Sequence, residues 1–248
     1  MQLIERRELI ISDADCCAAP VAPDRQRKYE LIDSAEIPGG GGHLHLIRWG
    51  SDYEIMFGDE QLMGNWATQS ECALADLVFA RLGESARRVL IGGLGMGFTL
   101  AAALAAAPAL AAIEVAELVP GVLAWAKGPL AHIVGDSLAD PRAIVTLGDV
   151  HDVIAGSKDH FDAILLDVDN GPDGLITLAN ERLYSNWGLR AASGALRSGG
   201  ILAVWSAYPD NTFGPRLVRA GFTVDEIAVD AGDSREPQRH TIWLATKA

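Results

Sequence analysis

A glycine-rich turn and a series of carboxylates stand out for what they could do together. Val89-Leu90-Ile91-Gly92-Gly93-Leu94-Gly95-Met96-Gly97-Phe98-Thr99-Leu100 runs from apolar residues through glycines into alanine-rich sequence. Glycine tolerates positive φ and lets a ligand approach the backbone. A helix starting there offers free N–H groups and the positive end of its dipole. Gly93, Gly95 and Gly97 therefore suit a nucleotide or nucleoside.

The acids follow at informative intervals. Glu117 ends the next apolar run, where a carboxylate can grip ribose hydroxyls; Glu114 lies earlier in that run. Asp149, in Gly148-Asp149, can accept from an adenine amino group, cap a helix, or do both. A further run ends in Leu166-Asp167-Val168-Asp169-Asn170-Gly171-Pro172-Asp173-Gly174. Carboxylates at the carboxyl edge of a parallel strand face the ligand crevice. Asp167 and Asp169 can hold a cation, orient an amine or take its proton. The same stretch also reads as turn chemistry.

These residues need elements to hold them. Short apolar strands at 89–92, 112–117, 143–147, 162–168 and 200–205 alternate with helical stretches at 98–107, 119–127, 150–155 and 184–197. That rhythm predicts a parallel sheet with helices on both faces. Residues 222–229 and 240–245 are strands with no helix between them, a closing antiparallel hairpin. Before a helix at 70–82, the runs at 29–32, 43–49 and 53–57 alternate between turns such as Gly39-Gly40-Gly41-Gly42. They predict a small antiparallel meander. The expected division is an N-terminal β-rich region, 1–65, and a Rossmann-like domain, 66–248. Residues 12–28 read as a loose lead-in.

Composition narrows the functional classes. Of 248 residues, 49% are hydrophobic, enough for a full core, and the formal net charge is −13. That balance excludes a broad contact with nucleic-acid phosphates. The longest apolar stretch is mostly alanine and contains Pro108, so no membrane span is expected. The first residues lack the layout of a signal peptide. Cys16, Cys17 and Cys72 form no disulfide framework and have no metal-ligand spacing, which suits the cytoplasm. His43, His45 and His240 read as strand-face residues, and no cluster has the spacing of a metal site. Trp66, Tyr184, Trp187, Trp205 and Tyr208 fall near ligand-side loops. Each either packs in the core or offers a face to a sulfonium or ammonium.

Together the motifs resemble the spermidine synthase family of class I transferases over roughly residues 43–247. Residues 89–100 look like its glycine-rich first motif, and 114–126 like its ribose-binding acid and helix. Gly148-Asp149 is similar to its adenine-binding pair, Phe161-Asp162-Ala163-Ile164-Leu165-Leu166-Asp167 to its fourth strand, and 183–202 to a later segment. Asp59-Glu60-Gln61 and Glu71 fall where the family has its gate segment and its tyrosine–histidine–glutamate motif. The resemblance adds Gln61 to the cofactor-binding set and Glu71 to the candidate bases. Three departures fall at the chemistry. No acid occupies Leu94-Gly95-Met96, where the family grips the aminopropyl amine. Asn170 stands at its catalytic aspartate. Gln69 and Ser70 replace its tyrosine and histidine. The Gly-x-Gly-x-Gly form resembles methyltransferases that use intact S-adenosylmethionine.

The expected function is methyl transfer from S-adenosylmethionine to a small-molecule acceptor. Gly93, Gly95, Gly97, Glu117, Asp149 and Gln61 would bind the donor. Asp167, Asp169 and Glu71 would orient the acceptor or take its proton. One alternative is aminopropyl transfer from decarboxylated S-adenosylmethionine; another is a nucleoside-binding protein without turnover. The β-rich N-terminus offers a surface for a homodimer.

Overall fold

The computed structural model describes residues 5–8, 29–172, 181–232 and 238–248. The lead-in at 12–28, with Cys16 and Cys17, and the turn residues Asp173 and Gly174 lie outside them. Strand β1 (Glu5–Glu8) is followed by a meander of β2 (Glu30–Glu36), β3 (His43–Trp49), β4 (Asp52–Phe57) and β5 (Glu60–Gly64). Then come α1 (Gln69–Leu82), β6 (Arg88–Gly92), α2 (Phe98–Ala106), β7 (Ala112–Glu117), α3 (Pro120–Lys127), α4 (Ala131–Val134), β8 (Ala143–Leu147), α5 (Val150–Ala155) and β9 (Phe161–Leu166). The chain continues with α6 (Glu181–Tyr184), α7 (Asn186–Ala195), β10 (Leu196–Ser206), α8 (Phe213–Arg219), β11 (Phe222–Asp230) and β12 (Arg239–Lys247). No helix among the described residues is long and apolar enough to cross a membrane.

The large sheet has eight strands in the order β1-β11-β12-β10-β9-β6-β7-β8. Strands β6 to β10 pair in parallel, and β12 runs antiparallel between β10 and β11. This is the expected class I α/β sheet with its closing hairpin. Side chains alternate between two apolar layers, as the pleat requires. Ile91, Leu165, Ala203 and Leu244 enter the core beneath α1 and α2. Leu90, Ile164, Leu202 and Trp243 enter the other, with residues of α7 and α8. Strands buried on both faces read as continuous apolar runs, which is why they were legible.

The meander forms a separate four-stranded sheet, β2-β3-β4-β5. Its Leu44, Leu46, Tyr53 and Ile55 join the core beneath the large sheet. Trp125 Nε1 on α3 donates to Asp33 Oδ2 at 2.8 Å. Beside that bond, a Cβ on Gly121 would lie 2.2 Å from the Cβ of Ala35. Glycine there lets helix and sheet touch.

Four details differ from the expectations. Strand β1, not expected as a strand, pairs with β11 in the large sheet. The segment 60–64 is a strand, hidden by its polar start. The helix expected at 184–197 is cut at Ser185, whose side chain accepts from Gly188 N and caps α7, and residues from Leu196 belong to β10. Helix α8 was not expected, because Gly214 and Pro215 mask it. Asp210 Oδ1 accepts from Thr212 N at 2.7 Å and Phe213 N at 3.2 Å, fixing its start.

Gly121→Ala tests the contact between sheet and helix. Helix propensity favours alanine by about 1 kcal/mol. Overpacking costs about 1–3 kcal/mol and outweighs it. We expect net destabilisation in urea, relieved by adding Ala35→Gly. A variant as stable as its parent would mean that the two layers separate freely.

Candidate functional site

Strands β6 and β9 are neighbours, with Gly92 opposite Leu166. After β6 the chain winds out to β7 and β8; after β9 it winds the other way to β10. A crevice must open where two such connections diverge. The glycine turn and Asp167 are the first residues beyond the paired ends. They are in contact: a Cβ on Gly93 (φ +89°) would lie 2.4 Å from the Asp167 carbonyl oxygen. Any larger residue would push the two loops apart.

A cavity occupies this crevice. Gly93, Gly95, Glu117, Asp149, Asp167, Asp169 and Glu71 all reach its wall. Ile37, just after β2, and Leu44, Ile55, Leu62 and Met63 of the small sheet cover it, and Trp205 closes another side. No lysine, arginine or histidine lines it among the described residues. The cavity is apolar except for carboxylates and backbone, an arrangement suited to a cationic ligand with a flat apolar body.

Each acid is held differently. Glu117 at the end of β7 is buried. Its Oε2 accepts from Leu94 N at 2.8 Å and its Oε1 from Val119 N at 2.7 Å. Burial raises its pKa, and the backbone donors oppose the rise. Asp149 both caps α5, accepting from His151 N at 2.8 Å, and pairs with Arg182. Asp169 sits in the left-handed region at φ +52°, uncommon for a residue with a Cβ. Asp167 Oδ2 accepts from Thr99 Oγ1 at 2.7 Å. Across from it, on the first turn of α1, Glu71 is buried and takes a 2.5 Å hydrogen bond from Ser70 Oγ. Burial and the facing Asp167 charge push the Glu71 carboxyl well above the usual range. Burial also raises Asp167, against the Thr99 bond. Two such carboxyls cannot both ionise cheaply, so they titrate as a pair.

The structure thus brings together Gly93, Gly95, Glu117, Asp149, Asp167, Asp169 and Glu71, the last from a distant helix. Two expected contributors stand apart. Gly97, at φ +83°, is the N-cap of α2 and does not reach the cavity wall. Gln61 lies on β5 but off the wall, whereas Leu62 and Met63 reach it. Asn170 is buried and its Nδ2 donates to Glu60 Oε1 at 2.7 Å, tying the loop after β9 to the first residue of β5. Of the aromatic candidates, Trp205 alone lines the cavity. Its buried Nε1 meets no acceptor among the described residues. Tyr184 is buried against Phe213, Trp66 covers Gly64, and Trp187 and Tyr208 are exposed. Met63 was missed. Its Sδ accepts from Met96 N at 3.2 Å and packs on Gly95. Thr99 was missed as a partner of Asp167, because only the fold joins residues so far apart.

Comparison with known proteins agrees with this geometry at the level of fold. No family model matches the chain. A polyamine aminopropyltransferase of Mycobacterium tuberculosis (strain ATCC 25618 / H37Rv) is 32% identical over 139 residues, which cover 55% of this chain. The chain spans only 26% of the length of that relative. The spermidine synthase of Thermotoga maritima superposes with a TM-score of 0.69 at 16% identity, over 88% of this chain and 72% of that one. A probable spermidine synthase of Corynebacterium glutamicum ATCC 13032 gives 0.57 at 14% identity, over 88% and 80%. A putative O-methyltransferase of Klebsiella pneumoniae gives 0.50 at 17% identity, over 73% and 81%. The fold is a spermidine synthase-like class I α/β fold.

The carboxyl pair makes stability depend on pH with a definite sign. Both groups are raised, so the native state keeps protons that the unfolded chain has released. Their contribution is full below the ordinary carboxylate range, about pH 4. It is lost as pH rises through their raised native values. Glu71→Gln should flatten this dependence and be more stable than the parent at about pH 9. Denaturant unfolding across pH reads this out; parallel curves for the two proteins would refute the pairing.

Proposed function

We propose that this protein transfers an alkyl group, a methyl in the first reading, from an adenosyl sulfonium donor to a small amine. The observation that carries the proposal is the convergence of the glycine turn, Glu117, Asp149 and the buried pair Glu71–Asp167 on one cavity whose wall, among the described residues, has no cationic side chain. S-adenosylmethionine, or its decarboxylated form, supplies a carbon already activated by a sulfonium leaving group. The protein need only align, enclose and deprotonate.

The residues divide that work. Gly93 and Gly95 admit the nucleoside to the backbone. Glu117, fixed by the N–H groups of Leu94 and Val119, presents its remaining acceptor capacity to the ribose hydroxyls. Asp149, oriented by its capping bond and Arg182, faces the adenine end. Asp167 and Asp169 orient the acceptor amine. As the amine nitrogen bonds to carbon and the carbon–sulfur bond breaks, the amine proton passes to the Glu71–Asp167 pair. A raised carboxyl pKa suits a base that must work near neutral pH. The small sheet covers the cavity and excludes water.

Methyl transfer is favoured at the glycine turn. Leu94 and Met96 are buried and apolar there, Met63 packs against it, and Asn170 is turned to Glu60. No acid remains at those positions to grip an aminopropyl amine. Aminopropyl transfer is the second reading. It is supported by the lack of a cationic side chain on the wall among the described residues, which suits a donor lacking a carboxylate, and by the aminopropyltransferase relative.

Incubation with each donor and a panel of amines, read by mass spectrometry, separates the readings. We expect methylated amine with the intact donor. Aminopropylated product at enzymatic rates would replace the first reading with the second. An intact bound donor with every acceptor would point to a nucleoside-binding protein. Separately, Glu117→Ala should weaken the nucleoside product by at least about 1 kcal/mol in calorimetry, the loss expected for hydrogen bonds to a charged group. Unchanged affinity would remove Glu117 from the site.

A further inference from the structure

The Glu71–Asp167 pair is buried, yet a hydrogen-bonded line leads away from it. Ser70 Oγ lies 2.5 Å from Glu71 Oε2 and 2.8 Å from His240 Nδ1. Ser70 is fully buried, whereas His240 is partly exposed. His240 belongs to β12, far along the chain, and packs edge-on against Trp205 with ring centroids 4.8 Å apart. The imidazole is therefore placed from the closing hairpin onto the residue next to Glu71.

A serine hydroxyl has one proton to donate. When Glu71 is ionised, Ser70 donates to it, so the second bond requires a proton on His240 Nδ1. When Glu71 is protonated it can donate to Ser70, whose hydroxyl then donates to a bare Nδ1, leaving the imidazole proton on Nε2. The proton on Glu71 and the tautomer of His240 are tied through one hydroxyl.

We propose that Ser70 and His240 form the exit path for the proton that the acceptor amine gives to Glu71 and Asp167. This rests on the transfer reading above. The Glu71 proton moves to Ser70 Oγ, the Ser70 proton moves to His240 Nδ1, and the Nε2 proton leaves to water. The imidazole stays neutral before and after, with its proton moved from Nε2 to Nδ1; a turn of the partly exposed ring, in which Nδ1 loses that proton to water and Nε2 gains one, resets the path once the carboxyl pair has regained its charge. His240 and Ser70 touch no reacting atom on this path; they are positioning and relay residues.

The surroundings fit that role. Glu71 faces Asp167 from the end of β9 and Thr99 from α2, whose Oγ1 lies 3.4 Å from the Glu71 carbonyl oxygen. His240 faces Ser70 from α1, Trp205 from β10 and the charge of Asp230 from β11. Burial depresses the imidazole to about 4, against the pull of Asp230. A neutral ring can donate and accept at once, which a relay needs and an imidazolium cannot do.

Nitrogen-15 NMR of the imidazole tests the path without substrate. In the wild-type protein, raising pH through the titration of the pair should move the His240 proton from Nε2 to Nδ1. In Glu71→Gln and in Ser70→Ala that switch should vanish. A tautomer that never changes while carbon-13-labelled Glu71 titrates would overturn the proposal. In turnover, Ser70→Ala and His240→Gln should lower kcat about tenfold or more with KM unchanged, and shift its pH profile. Equal kcat and pH profile would also overturn it. A tautomer switch without transfer from any donor would instead defeat the transfer reading and leave the proton linkage standing.

Discussion

The molecule is organised by the parting of two neighbouring strands. β6 and β9 run side by side to Gly92 and Leu166, and then their chains leave in opposite directions. That parting puts a glycine turn and an aspartate against each other at the mouth of a crevice. The approach is so close that only a glycine at position 93 allows it. Every other part of the site is arranged around this point. α2 starts from the turn and sends Thr99 back to Asp167, and α1 crosses near enough to bring Glu71 opposite.

The electrostatic character of the site follows from what is buried there. Carboxylates are costly to remove from water without a cation, and none is supplied by the cavity wall among the described residues. The fold offsets the cost in two ways. Glu117 is satisfied by backbone donors, which need no charge. Glu71 and Asp167 instead share a proton beyond the pH at which free carboxyls lose theirs, because burial raises both. The small sheet adds to both effects, because its Leu44, Ile55, Leu62 and Met63 make that side of the cavity apolar. A site built this way lowers its internal repulsion when a cation enters.

Much of this was legible in the sequence, for local reasons. Parallel strands buried on both sides read as apolar runs. The glycine turn and the acids Glu117, Asp149 and Asp167 sit at ends of such runs, so topology alone aims them at the crevice. Asp149 also shows why two readings of one residue need not compete, since one oxygen caps α5 while the other meets Arg182. Other features left no trace. The strand β5 begins with polar residues, and α8 carries Gly214 and Pro215 near its start. Gln61 was placed in the site by resemblance, yet its neighbours Leu62 and Met63 line the wall. On a short strand with an irregular register between Ile55 and Met56, position in sequence does not settle which side chain faces inward.

The sequence by itself determined the α/β architecture, the glycine turn and the acids carried at strand ends, because these depend on local periodicity and on the geometry of single strands. Tertiary structure decided which of those acids share a proton. Glu71 and Asp167 lie far apart in the chain, and their coupling arises only where α1 crosses the end of β9. It also decided that His240, unremarkable as a strand residue, stands on Ser70, and that Met63 covers Gly95. Such pairings are set by the packing of whole layers. No pattern of neighbouring residues encodes them.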